Sequence, residues 1–296
     1  MNVFIVGGTG YLGSVLVEHL LQAGHSVQAL ARSEQSADRL RAAGAVPVAG
    51  SISDTDVLAA AAASADAIIY AASDYAATSE SMQLELDAVA TIVAGASTAT
   101  LPKPVVYTST GLVYGFDPID AREDAELPEI SAQPVKAKAE RIVLGTDAVA
   151  GVVIRAGLIF GRGGSGLVTG LIAGAVANGA STYIGDGTNT WYPVHVDDLA
   201  ELYLLALERP QPGIVNAAGA VPFAFKDLAA AIGELTGTPV VSVPLDVAEQ
   251  RMGPGVRTMT ISSRLPVDKA LASYGWQPSA RSLLDDVRAG SYSVPA

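Results

Sequence analysis

The residues whose types and spacing could do chemistry begin at the seventh position. Gly7, Gly8, Gly10 and Gly13 follow a short apolar run, Asn2 to Val6, and precede apolar residues at helical spacing, Val15, Leu16, Leu20 and Leu21. That is the pattern of a strand, a tight turn and a helix. In this setting Gly7 lets the chain turn, Gly10 lets backbone approach a pyrophosphate, and Gly13 lets the helix lie close on its strand. The free N–H groups of Tyr11, Leu12 and Gly13, at the positive end of the helix, then suit phosphates. Three further groups stand out: the hydroxyls of Ser109 and Thr110 at the end of an apolar run, Lys136 in an alanine-rich helix, and Arg155 at the end of another apolar run.

The glycine unit closes on a second strand-like run, Ser26 to Leu30, which leads into Ala31, Arg32 and Ser33. NAD enzymes usually place an acid there, against the ribose 2′-hydroxyl, whereas a guanidinium and a hydroxyl suit a 2′-phosphate. The cofactor expected is therefore NADP (as NADPH). NAD is the alternative, with Arg32 solvated and Glu34 on the ribose.

The elements that must position these groups alternate. Gln35 to Ala43 reads as a helix closed by Gly44, Ala45 to Ala49 as a third strand, and Gly50-Ser51-Ile52-Ser53-Asp54 as a turn into an alanine-rich helix. Ala67 to Tyr70 is a fourth strand ending in Ala71, Ala72 and Ser73, small residues that admit a flat ligand or simply pack tightly. Thr78 to Ser97 is a long helix, Pro104 to Thr108 a fifth strand, Ala132 to Leu144 a helix and Gly151 to Ile154 a sixth strand. Strands alternating with helices predict an α/β fold with a doubly wound parallel (Rossmann) sheet.

Beyond Arg155 the alternation loosens. Gly157 to Gly166 is glycine-rich but lacks the lysine of a phosphate loop. Leu167 to Asn178 reads as a helix, Trp191 to Val196 as a short strand, and Asp197 as the cap of a helix to Leu207. The division expected is a Rossmann NADP-binding domain over 1–156 and a smaller C-terminal α/β substrate lobe over 157–296, with about 192–217 returning to the first.

Composition bounds the rest. The chain has 296 residues, a formal net charge of −12 and no cysteine. The charge argues against nucleic acid or an anionic membrane as partner. Without cysteine there is no disulfide, thiolate metal site or cysteine nucleophile. No basic leader precedes the first strand and no apolar run spans a bilayer, which is compatible with a cytoplasmic protein. His19 and His25 lie on the first helix and its exit, away from any acid cluster, and no metal-ligand spacing is seen. The acids from Asp120 to Glu129 read as a solvated charge run.

GGTGYLG at Gly7, STGLVYG from Ser109 to Gly115, RAGLIFGRG from Arg155 to Gly163 and YPVHVDDLA from Tyr192 to Ala200 resemble the extended and atypical branches of the short-chain dehydrogenase/reductase superfamily. The resemblance implies a cofactor site formed by Gly7, Gly10, Tyr11, Leu12, Gly13, Arg32, Ser33, Ser51 and Ile52. Ala71 to Ser73, Lys136, Ala156, Gly157 and Leu158 complete it. It implies that Thr110 binds the reacting oxygen, and that the helices Thr78 to Ser97 and Ala132 to Leu144 form a homodimer.

The departure is the catalytic tyrosine of Tyr-x-x-x-Lys. With Lys136 as the lysine, Ala132 takes its place; with Lys138, Pro134 does. A phenol beside an ammonium serves as acid/base because its pKa falls, and neither replacement carries a proton. The candidates to move the proton are Lys136, as in reductases related to isoflavone reductase, then Tyr114, then Tyr192 or His195. Arg155 is expected to hold a substrate anion or to pair with an acid, and Tyr183, Trp191 and Tyr192 to wall the substrate. The reading is an NADP-dependent oxidoreductase reducing a carbonyl, imine or conjugated alkene of a small molecule. A non-catalytic NADP-binding sensor is the alternative, and a sugar-nucleotide epimerase or dehydratase, which relies on the missing tyrosine, ranks below it.

Overall fold

The first strand, β1 (Asn2–Val6), is apolar and buried from Val3 to Val6 because both of its faces are covered. The computed structural model describes residues 1–73, 78–115, 121–128, 131 and 133–294. After β1 come α1 (Tyr11–Gln22), β2 (Ser26–Ala31), α2 (Glu34–Ala43), β3 (Val46–Ala49), α3 (Thr55–Ser64), β4 (Ala67–Tyr70) and α4 (Ser79–Ala96). Then follow β5 (Lys103–Thr110), α5 (Pro134–Leu144), β6 (Val149–Ala156), β7 (Leu158–Phe160), α6 (Gly166–Asn178), β8 (Ser181–Ile184), β9 (Thr190–Trp191), β10 (Pro193–His195) and α7 (Val196–Glu208). β11 (Gly213–Ala217), β12 (Phe223–Ala224), α8 (Phe225–Thr236), β13 (Val240–Val243), α9 (Leu245–Met252), α10 (Asp268–Tyr274) and α11 (Leu283–Ala289) complete the order.

Seven strands form one parallel sheet in the order β11-β6-β5-β4-β1-β2-β3. One face packs on α1, α2 and α7 through Leu16, Leu20, Leu40, Leu202 and Tyr203; the other packs on α3, α4 and α5 through Leu58, Val89, Ile92 and Val143. Each fully buried leucine of this kind stabilises the fold by about 1.5–3 kcal/mol. Local chemistry sets the ends: Ser33 caps α2 and Thr78 caps α4, each accepting a backbone N–H, and Gly44 ends α2 in the left-handed region at φ +93°.

Strand β11 adds to β6 in parallel, so the chain returns to the sheet after its excursion through α6, β8 and β9. A separate core, built on Phe160, Val168, Ile172, Trp191, Phe223, Phe225 and Leu228, holds α6, α8 and α11 together. Two expectations shift here. Helix α5 starts at Pro134, and Ala132 lies outside the described residues. Helix α7 starts at Val196, and its cap is His195, whose ring accepts the Asp197 N–H, so Asp197 is inside the helix and not its cap.

Candidate active site

The strand order reverses between β1 and β4, and the crevice beyond their carboxyl ends is where a sheet of this type takes its ligand. Gly7 leaves β1 at φ +94°, and a Cβ there would stand 2.7 Å from the Ala72 backbone nitrogen. A Cβ on Gly13 would stand 2.0 Å from the Gly7 carbonyl oxygen, so α1 lies against the turn as only glycine permits. Gly10 differs: a Cβ would meet only the Gly7 oxygen, at 3.2 Å, and otherwise fill open space. Helix α1 has no side-chain cap and no acid in its first turn. An open cradle, uncapped N–H groups and no carboxylate fit the pyrophosphate of a dinucleotide.

The Tyr11 hydroxyl donates to the Gly161 carbonyl at 2.7 Å, so Tyr11, like the buried Leu12, has its backbone to offer a phosphate. At the end of β2, Arg32 is exposed and makes no hydrogen bond or ion pair among the described residues. The hydroxyl of Ser33 accepts the Ser36 N–H at 3.2 Å, and Glu34 is held by Arg41 at 2.7 Å. Ser51 gives its N–H and hydroxyl to Asp54, at 2.7 and 2.9 Å, and holds that carboxyl below its usual range. Ile52 leans on the core beneath α3.

Along the sheet edge, Ala71 donates its N–H to Val6 at 2.8 Å, and Ala72 and Ser73 follow. Thr110 and Ala156 are register partners at the ends of β5 and β6. The Gly157 N–H binds the Ala217 carbonyl at 2.9 Å, a Cβ there would strike the Tyr192 carbonyl, and Leu158 opens β7. The Thr110 Oγ1 accepts the Leu112 N–H at 3.2 Å, and its own hydrogen has no acceptor among the described residues.

Lys136 is buried on the first turn of α5. Its ammonium lies 2.7 Å from Glu85 Oε1 and 5.1 Å above the Tyr107 ring. The Tyr107 hydroxyl donates to the same oxygen at 2.5 Å, and burial together with Glu85 pushes that phenol up. A second buried pair lies beneath Ser109: Arg155 grips Glu140 through Nε at 3.0 Å and Nη2 at 2.6 Å, and Ser109 donates to Glu140 at 2.5 Å.

Of the two alternatives for Arg155, the structure shows the pairing: the side chain is 2% exposed and bound to Glu140. Tyr114 is buried, with its hydroxyl donating to Asn216 at 3.2 Å and its ring under Arg155, 4.6 Å away, an arrangement that favours packing over proton transfer. Trp191 belongs to the lobe core, edge-on to Phe225 at 5.0 Å with its indole N–H on the Ile261 carbonyl, and cannot wall a substrate. Tyr183 sits on β8, and Tyr192 leans on the Tyr114 and Leu265 cluster.

The histidines also differ from expectation. His19 lies 2.9 Å from Asp197 and His25 3.4 Å from Glu208. Asp197 is further held by Arg162, which also grips Glu18 on α1 at 2.7 and 3.1 Å. Asp198 accepts the N–H groups of Ser279 and Ala280. Glu123 accepts the Asn216 N–H at 2.9 Å, so it is not merely solvated; Asp120 and Glu129 lie outside the described residues. Glu85, Glu140 and Asn216 are the residues that sequence reasoning missed. Among the described residues no helix is long and apolar enough to cross a membrane, and no cluster of acids and histidines could hold a metal.

A model of the NAD dependent epimerase/dehydratase family matches residues 3–218. The chain belongs to this family. It is an extended short-chain dehydrogenase/reductase and an NAD(P)-dependent oxidoreductase. An uncharacterized protein of Schizosaccharomyces pombe is 31% identical, covering 99% of this chain and 100% of its own. The 4-hydroxy-2-methyl-3-oxo-4-farnesyl-3,4-dihydroquinoline-1-oxide ketoreductase of Stigmatella aurantiaca is 31% identical over 73% of this chain and 67% of its own. The crystal structure of DesIV, a dTDP-glucose 4,6-dehydratase from Streptomyces venezuelae with NAD bound, superposes with a TM-score of 0.81 over 98% of this chain and 96% of that one. At 22% identity that likeness is one of fold.

Proposed function

We propose that the protein is an NADPH-dependent reductase of a carbonyl group on a small molecule. The observation that carries the cofactor choice is Arg32, exposed and unengaged among the described residues at the end of β2 while Arg41 occupies Glu34. A free guanidinium suits the 2′-phosphate, and an acid already paired is poorly placed to take a ribose hydroxyl. The relative named as a ketoreductase supports a ketone as acceptor.

When bound, the dinucleotide supplies the hydride. Gly7, Gly10 and the first amides of α1 hold its pyrophosphate, and the small residues Ala71 and Ala156 leave room for a flat ring. Thr110 donates its hydroxyl hydrogen to the carbonyl oxygen and stabilises the charge that develops there. Lys136, anchored by Glu85, has two further N–H donors for ribose hydroxyls. With Ala132 or Pro134 in place of the phenol, the proton that completes the alcohol reaches the oxygen from water through Thr110. Epimerisation and dehydration lean on that phenol, so this chain is read as a reductase.

The test is absorbance at the reduced-nicotinamide band with a panel of ketones, enones and imines, comparing NADPH with NADH. NADPH is expected to be preferred, and Arg32→Asp to weaken NADPH binding about 10- to 100-fold, the loss of one or two charge-assisted hydrogen bonds. Equal use of both cofactors by the native protein would refute the NADP assignment. Turnover abolished by Lys136→Ala but spared by Thr110→Ala would reverse the two roles.

A further inference from the structure

The turn after β5 packs directly on Leu265. A Cβ on Gly111, the residue after Thr110, would stand 2.6 Å from Leu265 Cδ1, and one on Gly157, the residue after Ala156, 3.6 Å from the same atom. Leu265 therefore lies against the carboxyl ends of β5 and β6, where the reacting group is assigned, and Arg264 precedes it in the chain. The backbone around that arginine is fixed. Ser262 Oγ accepts the Thr190 N–H at 3.1 Å, the Ser263 N–H binds the Thr190 carbonyl at 2.9 Å, and Leu265 is buried with Val113 and Tyr114.

A narrow cavity of about 260 Å³ opens at this contact, lined by Gly111, Leu112 and Gly115 from the turn and by Ser262, Ser263 and Arg264 from the later segment. None of its described lining residues is acidic, although the chain carries a net charge of −12. The exposed Arg264 guanidinium and the Ser263 hydroxyl make no hydrogen bond or ion pair among the described residues. Donors without acceptors, carried on fixed backbone, form a preorganised anion site, and the planar fork of arginine matches the two oxygens of a carboxylate. One guanidinium balances one negative charge. The volume also falls below the roughly 300–1,000 Å³ of pockets that enclose a drug-sized ligand. A single carboxylate fits these limits and a nucleoside diphosphate does not.

We propose that the substrate is an oxo acid, with its ketone oxygen at Thr110 and its carboxylate on Arg264 and the Ser263 hydroxyl. Hydride addition to the ketone carbon and a proton on its oxygen give the hydroxy acid. The word substrate rests on the reductase reading, but the anion site can be tested by binding alone.

Calorimetry of the full chain, with and without NADP, compares 2-, 3-, 4- and 5-oxohexanoate with their methyl esters. At least one acid should bind about 5- to 20-fold more tightly than its ester, between the worth of an exposed ion pair and that of an enclosed charge-assisted bond. Arg264→Met should erase that preference and Arg264→Glu invert it. The thermal midpoint of each variant should stay at the native value, because the guanidinium has no partner among the described residues to lose. Acids and esters that bind alike, or a preference that survives Arg264→Met, overturn the proposal. So does tighter binding of 4-oxopentylphosphonate than of 5-oxohexanoate, which assigns the site to a phosphate group, or a loss of NADPH affinity in Arg264→Met, which assigns the guanidinium to the dinucleotide. An acid preference without NADPH oxidation keeps the anion site and removes the reductase reading, whereas oxidation driven equally by neutral ketones and by oxo acids does the reverse.

Discussion

Replacing Lys136 by methionine should destabilise the protein by about 3–5 kcal/mol, the cost of breaking a buried ion pair. The side chains of Lys136 and Glu85 are 7% and 8% exposed, so the carboxylate left behind has little water to turn to. Its remaining partner is the Tyr107 hydroxyl. Glu85→Met strands the ammonium instead, with the Tyr107 ring face as partial relief of about 2 kcal/mol at most. The double variant removes both charges together, and apolar replacement of a buried pair is often neutral or stabilising. Because the double variant also strands the buried Tyr107 hydroxyl, it should lose about 1–3 kcal/mol, well short of the sum of the two single variants. Urea denaturation at constant m-value measures all four species. The double variant also separates folding from chemistry, since it is stable but lacks the ammonium assigned to the ribose. Its hydride transfer should fall steeply. A Lys136→Met cost below about 1 kcal/mol, or a stable double variant that turns over at the native rate, would refute the reasoning.

Other substitutions test the frame of the site. Gly13→Ala drives a Cβ to 2.0 Å from the Gly7 carbonyl, and an overpacking cost of at least about 1–3 kcal/mol with loss of NADPH affinity should follow; unchanged affinity in calorimetry would sink that account. Trp191→Ala empties the lobe core and should cost about 3–5 kcal/mol in denaturant titration; a change confined to KM would return Trp191 to the substrate wall. Burial raises the Asp197 carboxyl, but hydrogen bonds from Arg162 and His19 outweigh it and hold the group below its usual range. Such a carboxyl contributes stability that is full above its unfolded pKa, near about 4, and lost as pH falls through the folded value. With the side chain about a third exposed, the contribution is about 1 kcal/mol or less, and Arg162→Ala should flatten that part of the acid limb in a stability-against-pH titration. An unaltered limb would show that the pairing is absent in solution.

Much of the first half of this fold can be read from the chain because its parallel strands are continuous apolar runs bounded by glycine, as at Val3 to Gly7. The cradle is legible for the same reason: Gly7, Gly10 and Gly13 each answer to a separate steric demand. Buried charge is harder to see. Glu85 lies in helical register with Ala88, Val89 and Ile92, and Glu140 four residues past Lys136, so an acid within an apolar stripe was the available signal. His19 gave none, because its partner Asp197 lies 178 residues away. Helix α9 was missed because Ala248 alone is buried in it, which leaves no periodic stripe.

The loop after β7 ties helix α1 to the segment around Tyr292. Arg162 and Ser165 adopt φ +52° and +84°, positions that side chains seldom occupy, and the surroundings hold them there. Tyr11 grips this loop from one side; from the other, Tyr292 gives its hydroxyl to Gly164 and accepts the Gly161 N–H, and Ser291 accepts from Gly163. The bracing of helix α1 thus depends on residues far along the chain, so a fragment that already contains every glycine of the cradle but stops short of Ser291 lacks its outer support. Nucleotide affinity should be weak in any fragment that ends before Tyr292.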